Sequence, residues 1–254
     1  MESGNDLAGV SVVVTGGASG IGLATAQLLA RGGAQVAVFD RDVGVLPAGL
    51  YGVRCDVSND ASVRRAIDGV ADRLDGVDVL VNNAGVGAAG TVEDNNDAEW
   101  HRVLDVNVVG IARVTRAALP HLRRSGRPAI VNVCSIAATV GLPQSALYSA
   151  SMGAVLALTK AMAADYLSEG IRVNCVNPAP VDAFWAHRQV DGAGDRDIER
   201  TALQARQSPG VTVSAEQVAS AIVYLASPAA ASVTGAALAV DAGTHGVRLR
   251  AEAT

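Results

Sequence analysis

The sequence predicts a single doubly wound α/β domain, a central parallel sheet flanked by helices. Three observations carry that expectation. Short Val-rich runs alternate with longer helical patterns along the 254 residues, as βαβ units require. The runs have the composition of strands buried on both faces. No repeat and no linker divides the chain, and its length suits one sizeable core.

Taken in order, a strand is predicted at Ser11–Thr15, closed by a Gly-rich turn and a helix near 20–31. Strands follow at Gln35–Phe39 and Gly52–Cys55, then a helix near 60–74 and a strand at Val79–Asn82. A long helix near 97–123 leads to a strand at Ala129–Cys134, and a helix near 147–168 to one at Arg172–Asn177. A helix near 214–226 and a strand at Ala236–Val240 complete the alternation. The polar stretch 183–212, which contains Asp191-Gly192-Ala193-Gly194-Asp195, breaks this rhythm. It follows a strand end, where ligands bind in open α/β sheets, and is read as a lid over the substrate.

Composition narrows the class. Half the residues are hydrophobic and 3% are aromatic, so the core is built from Ala, Val, Leu and Ile. A net charge of −5 without long runs of one sign argues against a nucleic-acid partner. No apolar stretch is read as long enough to span a membrane, and residues 1–6 lack the regions of a signal peptide. Cys55, Cys134 and Cys175 are scattered, without metal-ligand spacing, and read as reduced thiols of a cytoplasmic protein.

Thr15-Gly16-Gly17-Ala18-Ser19-Gly20-Ile21-Gly22 has the spacing G-x-x-x-G-x-G between strand and helix. Its glycines permit a tight turn, and the helix N-terminus offers N–H groups to a pyrophosphate. Asp40, at the end of the second strand, can accept hydrogen bonds from ribose hydroxyls and repel a 2′-phosphate. NAD is therefore favoured over NADP, although Arg41 beside it leaves room for NADP. Asp56-Val57 is a candidate adenine contact, and Asn82-Asn83-Ala84-Gly85 a turn lining the same crevice.

With Asn107, Ser135, Tyr148 and Asn177-Pro178 in order and approximate spacing, the whole chain resembles the short-chain dehydrogenases/reductases. Gly153–Asn177 and Thr234–Arg250 look most like the branch that oxidises L-fucose and related sugars or sugar acids with NAD. The resemblance implies a Rossmann-like domain spanning 1–254, a homodimer or homotetramer, and a small polar alcohol or ketone as substrate. It implies that Tyr148 exchanges a proton with the substrate oxygen, that Ser135 hydrogen-bonds that oxygen, and that Asn107 holds a water in a proton relay. It places Gly16, Ser19, Gly20, Ile21, Gly22, Asp40, Asp56, Val57, Asn82, Ala84, Gly85, Pro178 and Val181 against the cofactor.

The departures cluster. Tyr148-Ser149-Ala150-Ser151-Met152 has Met where the family carries Lys, whose cation would depress the phenol pKa. Lys160 cannot replace it, lying about 12 Å along the helix and roughly 80° around it. In Asn177-Pro178-Ala179-Pro180-Val181-Asp182-Ala183, Ala179 stands for the usual Gly and Ala183 for the usual Thr. The adenosine half is kept and the nicotinamide half eroded. The expected activity is therefore alcohol–ketone interconversion, impaired or biased toward reduction. The alternatives are a silent homologue that binds a dinucleotide or metabolite, and a dehydratase or isomerase using Tyr148 and Ser135. Gln144, Trp185 and His187 are candidate substrate contacts, and His245 falls in a subunit-packing region.

Overall fold

The computed structural model describes residues 7–181 and 213–247. Seven strands form one parallel sheet in the order β3-β2-β1-β4-β5-β6-β7. They are β1 (Ser11–Thr15), β2 (Gln35–Asp40), β3 (Leu50–Arg54), β4 (Val79–Asn82), β5 (Ala129–Val133), β6 (Arg172–Pro178) and β7 (Ala237–Val240). The strand order reverses between β1 and β4, so a crevice opens beyond their C-terminal ends. That crevice receives the Gly-rich turn on one side and the loop after β4 on the other.

Among the described residues, six α-helices cover the faces: α1 (Gly20–Arg31), α2 (Asp60–Leu74), α3 (Asp97–Leu104), α4 (Gly110–Leu122), α5 (Ala146–Asp165) and α6 (Ala215–Ala226). Residues of α1 and α6 share a buried cluster with Val12, Val14, Val36 and Val38 on one face. Residues of α2, α4 and α5 pack with Val13, Ala37, Phe39 and Leu80 on the other. Successive residues of the central strands thus enter opposite cores, which is why Val fills positions 12–14 of β1.

Two predicted elements change. The helix expected over 97–123 is interrupted by a π-turn at Asp105–Val109, closed by the Gly110 N–H bonding to the Asp105 carbonyl. The strand expected at Gly52–Cys55 runs instead over Leu50–Arg54, because pairing with β2 sets its register from Val36↔Leu50 to Asp40↔Arg54. One exclusion is also corrected. Helix α5 has the length and composition of a membrane span. Here it packs on β6 and on the short 3₁₀ turn Ile136–Ala138. Its apolar character lines the sheet, and the sequence reading underrated it because Ser, Lys and Asp are scattered through it.

Candidate active site

The crevice is built by two loops locked to each other. Thr15 Oγ1 accepts hydrogen bonds from the Asn83 and Ala84 N–H groups, each at 3.0 Å. Asn83 Nδ2 donates in return to the carbonyls of Thr15 (3.0 Å) and Gly16 (2.9 Å). Gly16 has φ +62°, and a Cβ there would lie 2.9 Å from Ala84 Cα. A Cβ on Gly22 would fall onto the Gly16 carbonyl and Asn83 Nδ2. Asn83 was read only as part of a turn. The signal for its role was the need of a strained Gly-rich turn for a donor to its carbonyls.

This arrangement fits a bound pyrophosphate. Ser19 is extended, makes no side-chain cap, and precedes a first turn without acidic residues. Gly20, Ile21 and Gly22 thus present an uncapped, positive helix end to an anion. Asp40 sits beside the turn, accepting from Ala18 N–H at 3.2 Å and Asp42 N–H at 3.4 Å. Asp56 accepts from the Ser58 hydroxyl at 2.7 Å and its N–H at 2.9 Å. The Ser58 hydroxyl first, then the charges of Arg41 and Arg113, hold its carboxyl below the usual range against burial. Val57 is buried and close to Gly110. Gly85 lies beside Asn107, Pro178 ends β6, and Val181 bridges to Val213.

Asn82 requires a correction. Its side chain turns into the core, not toward the crevice. Nδ2 donates to Asn132 Oδ1 (2.9 Å) and Thr115 Oγ1 (3.3 Å), and Asn132 Nδ2 continues to Thr159 Oγ1 (2.9 Å). Asn82 and Asn132 are register partners across β4 and β5, so the amides form a buried polar file under the site. Only the backbone of Asn82 borders the crevice loop.

The predicted pair, Ser135 and Tyr148, meets beyond the end of β5. Ser135 Oγ accepts from Ala137 N–H at 3.1 Å, capping the 3₁₀ turn. Its hydroxyl faces the Tyr148 phenol and favours the phenolate form. Burial pushes that phenol up to about 12, which the Ser135 hydroxyl offsets only in part and the nearby Cys134 reinforces. No cation among the described residues acts on it. Met152 is buried in the same cluster as Cys134, Val155 and Cys175, and Cys134 Sγ donates to its carbonyl at 3.3 Å. Contact with Cys175 and burial keep the Cys134 thiol far above its ordinary range, so it is inert here. Lys160 is exposed and is the only lysine in the sequence, so no lysine elsewhere can stand in at position 152.

Two further roles shift. The Asn107 side chain is fully engaged. Oδ1 accepts from Val86 N–H (2.7 Å), and Nδ2 donates to the Val86 carbonyl (2.9 Å) and Ser151 Oγ (3.1 Å). Ser151 in turn donates to the Tyr148 carbonyl at 2.7 Å. The amide therefore braces the π-turn against α5. Gln144 precedes α5, exposed and at φ +55°, so it does not share a helical face with Tyr148. Ala179 is buried and bonds Val240. The His245 N–H donates to Asp241. Asp182, Ala183, Trp185, His187 and the expected lid lie outside the described residues.

This site on this sheet is that of a recognisable family. Residues 16–245 match the family model described as enoyl-(acyl carrier protein) reductase. A 2-(S)-hydroxypropyl-CoM dehydrogenase of Xanthobacter autotrophicus is 37% identical over 249 residues, covering 94% of this chain and 98% of that protein. A second protein of that organism, named an inactive 2-(S)-hydroxypropyl-CoM dehydrogenase, is 39% identical over 226 residues, covering 86% and 98%. The ligand-free aldohexose dehydrogenase of Thermoplasma acidophilum superposes with TM-score 0.87 at 33% identity, covering 98% of each chain. The chain belongs to the short-chain dehydrogenase/reductase family of oxidoreductases.

Proposed function

We propose that the chain interconverts a secondary alcohol and a ketone on a small polar substrate with NAD, and that it works mainly in the direction of reduction. The observation that carries this is the Tyr148–Ser135 pair with buried Met152 one helical turn away. A phenol raised to about 12 is neutral at pH 7, with roughly one part in 10⁵ as phenolate. As a neutral acid it can donate to a carbonyl oxygen as charge develops there, with Ser135 as second donor. For oxidation Tyr148 must instead accept the alcohol proton, and the form able to do so is almost absent.

A bound nicotinamide would supply or accept the hydride. In this reading Gly16, Ser19, Gly20, Ile21 and Gly22 hold its pyrophosphate, and Asp40 its adenosine ribose. Asp56 and Val57 border the adenine, while the backbone at Asn82, Ala84 and Gly85, with Pro178 and Val181, lines the rest of the crevice. Asp40 favours NAD over NADP by charge repulsion of a 2′-phosphate. The names of the relatives, for a hydroxypropyl conjugate and an aldohexose, support a hydroxylated substrate. The sugar branch is the narrower form of the same reading.

A second reading is a silent homologue that binds the dinucleotide without turnover. Met152 and the relative named inactive support it. Calorimetric NAD and NADH affinities, with turnover in both directions for the natural chain and Met152→Lys, separate the two. Ketone reduction by the natural chain, with oxidation appearing near neutrality only in the Lys variant, is expected. Binding without turnover in either direction by the natural chain selects the silent homologue. Efficient oxidation by the natural chain at pH 7 overturns the direction argued here.

The chain is further read as a cytoplasmic homodimer or homotetramer. Only 39% of the most apolar stretch of α5 is buried within one chain. Ala150, Ala157, Ala161 and Ala164 are exposed along one side of it, a face suited to a second copy.

A further inference from the structure

The guanidinium of Arg113, on the first turns of α4, bridges two loops that are remote in sequence. Nη1 donates to the carbonyl of Val57, after β3, and to the carbonyl of Asp105, which opens the π-turn, each at 3.3 Å. Nη2 donates to Asp105 Oδ1 at 2.6 Å. The side chain is 16% exposed, so this is a fixed fork and not a solvated surface pair. The steric fit agrees. A Cβ on Gly110 would lie 3.0 Å from Val57 Cγ2, so glycine at the end of the π-turn lets the Val57 loop seat against it.

From the π-turn the connection continues. Asn107 reaches Ser151 on α5, and Ser151 reaches the carbonyl of Tyr148. Two groups of hydrogen bonds, joined by the π-turn backbone from Asp105 to Asn107, therefore link the proposed adenine contact to the backbone of the proposed proton donor. A π-turn is a costly departure from the α ladder and persists where its surroundings over-determine it. Arg113 gives the Asp105 carbonyl a second donor beside the Gly110 N–H and pins the Asp105 carboxylate, holding the start of the π-turn from both groups.

We infer that Arg113 is a positioning residue that couples the adenine end of the cofactor crevice to the π-turn and, through Asn107 and Ser151, to Tyr148. The inference rests on the cofactor reading above. It means that occupancy of Val57's loop stiffens the segment behind the reactive tyrosine, before any substrate binds. An arginine is needed because two carbonyls and a carboxylate must be met at once. A lysine ammonium would hold one of them and keep the charge near Asp56.

The test uses the full chain with adenosine monophosphate as probe, which fills the adenine half alone, and NADH for affinity. Amide exchange is followed for the natural chain, Arg113→Lys and Arg113→Met, with thermal unfolding to check folding. In the natural chain adenosine monophosphate should slow exchange both at 56–59 and at 105–111. In Arg113→Met the slowing at 56–59 should persist, that at 105–111 should vanish, and NADH should bind about tenfold more weakly. Arg113→Lys should recover part of the affinity but not the slowing at 105–111. Should the Met variant not fold, Arg113→Gln takes its place. Unchanged protection at 105–111 with NADH affinity within about twofold overturns the proposal while leaving the cofactor reading intact. Absence of NADH and adenosine monophosphate binding to the natural chain removes the cofactor reading, and this proposal with it.

Discussion

In the function proposed for the chain, Tyr148 sets the direction of the chemistry through the company it lacks. A free phenol titrates at ~10, and burial moves this one to about 12 with only the Ser135 hydroxyl in opposition. The rate of alcohol oxidation should therefore climb across the alkaline range without a plateau below about pH 10. Met152→Lys should bring the plateau toward neutrality, since a cation one turn away favours the phenolate. A natural profile already flat at pH 7–8 would remove the argument. Gly22 makes the complementary point about packing. Its missing Cβ is the space occupied by the Gly16 carbonyl and Asn83 Nδ2. Gly22→Ala should lower stability by about 1–3 kcal/mol and weaken NADH binding, read by denaturant titration and fluorescence. The motif was legible in the sequence because glycine spacing is local. Asn83's role was not, because its partners Thr15 and Gly16 lie far back in the chain.

At the scale of elements, α5 and the π-turn do the positioning. Helix α5 buries Leu147, Ser151, Met152, Val155, Thr159, Met162 and Ala163. Tyr148 is thereby carried at the edge of the core beside Ser135. The opposite side of the helix is a row of alanines. Introducing Ala157→Arg there should shift the chain to a smaller species in light scattering, with its far-ultraviolet spectrum unchanged. A wild-type monomer would remove the α5 interface. The sequence pattern located both helices to within a few residues. It ran α3 into α4, because the apolar spacing of 97–123 continues through Asp105–Val109. The interruption is set by buried Asn107, whose amide bonds Val86 and Ser151. Periodicity carries no information about those partners.

At the scale of the molecule, the doubly wound sheet brings the ends of β1, β2, β4, β5 and β6 to one edge. A buried, raised phenol at that edge couples the site to global stability. Because the folded pKa exceeds the unfolded one, the folded state holds the proton more tightly. The stabilisation is complete below about pH 10 and is lost as pH rises through about 12. The thermal midpoint should therefore fall more steeply above pH 10 in the natural chain than in Tyr148→Phe. Equal slopes would mean that the phenol titrates as a solvated group.

The sequence by itself determined the alternation of strands and helices, the Gly-rich turn, Asp40 at a strand end, and Met152 one helical turn after Tyr148. Each of these is a matter of residue type and local spacing, the level at which periodicity and turn chemistry operate. Tertiary structure alone decided that Asn82 faces the core, that Gln144 leaves the helix, that Asn107 is a brace, and that Arg113 ties Val57 to the π-turn. These depend on which distant groups meet a side chain. In a parallel sheet every neighbouring strand is reached only after a crossover, so the partners are far apart in sequence and come together only when the sheet closes its register.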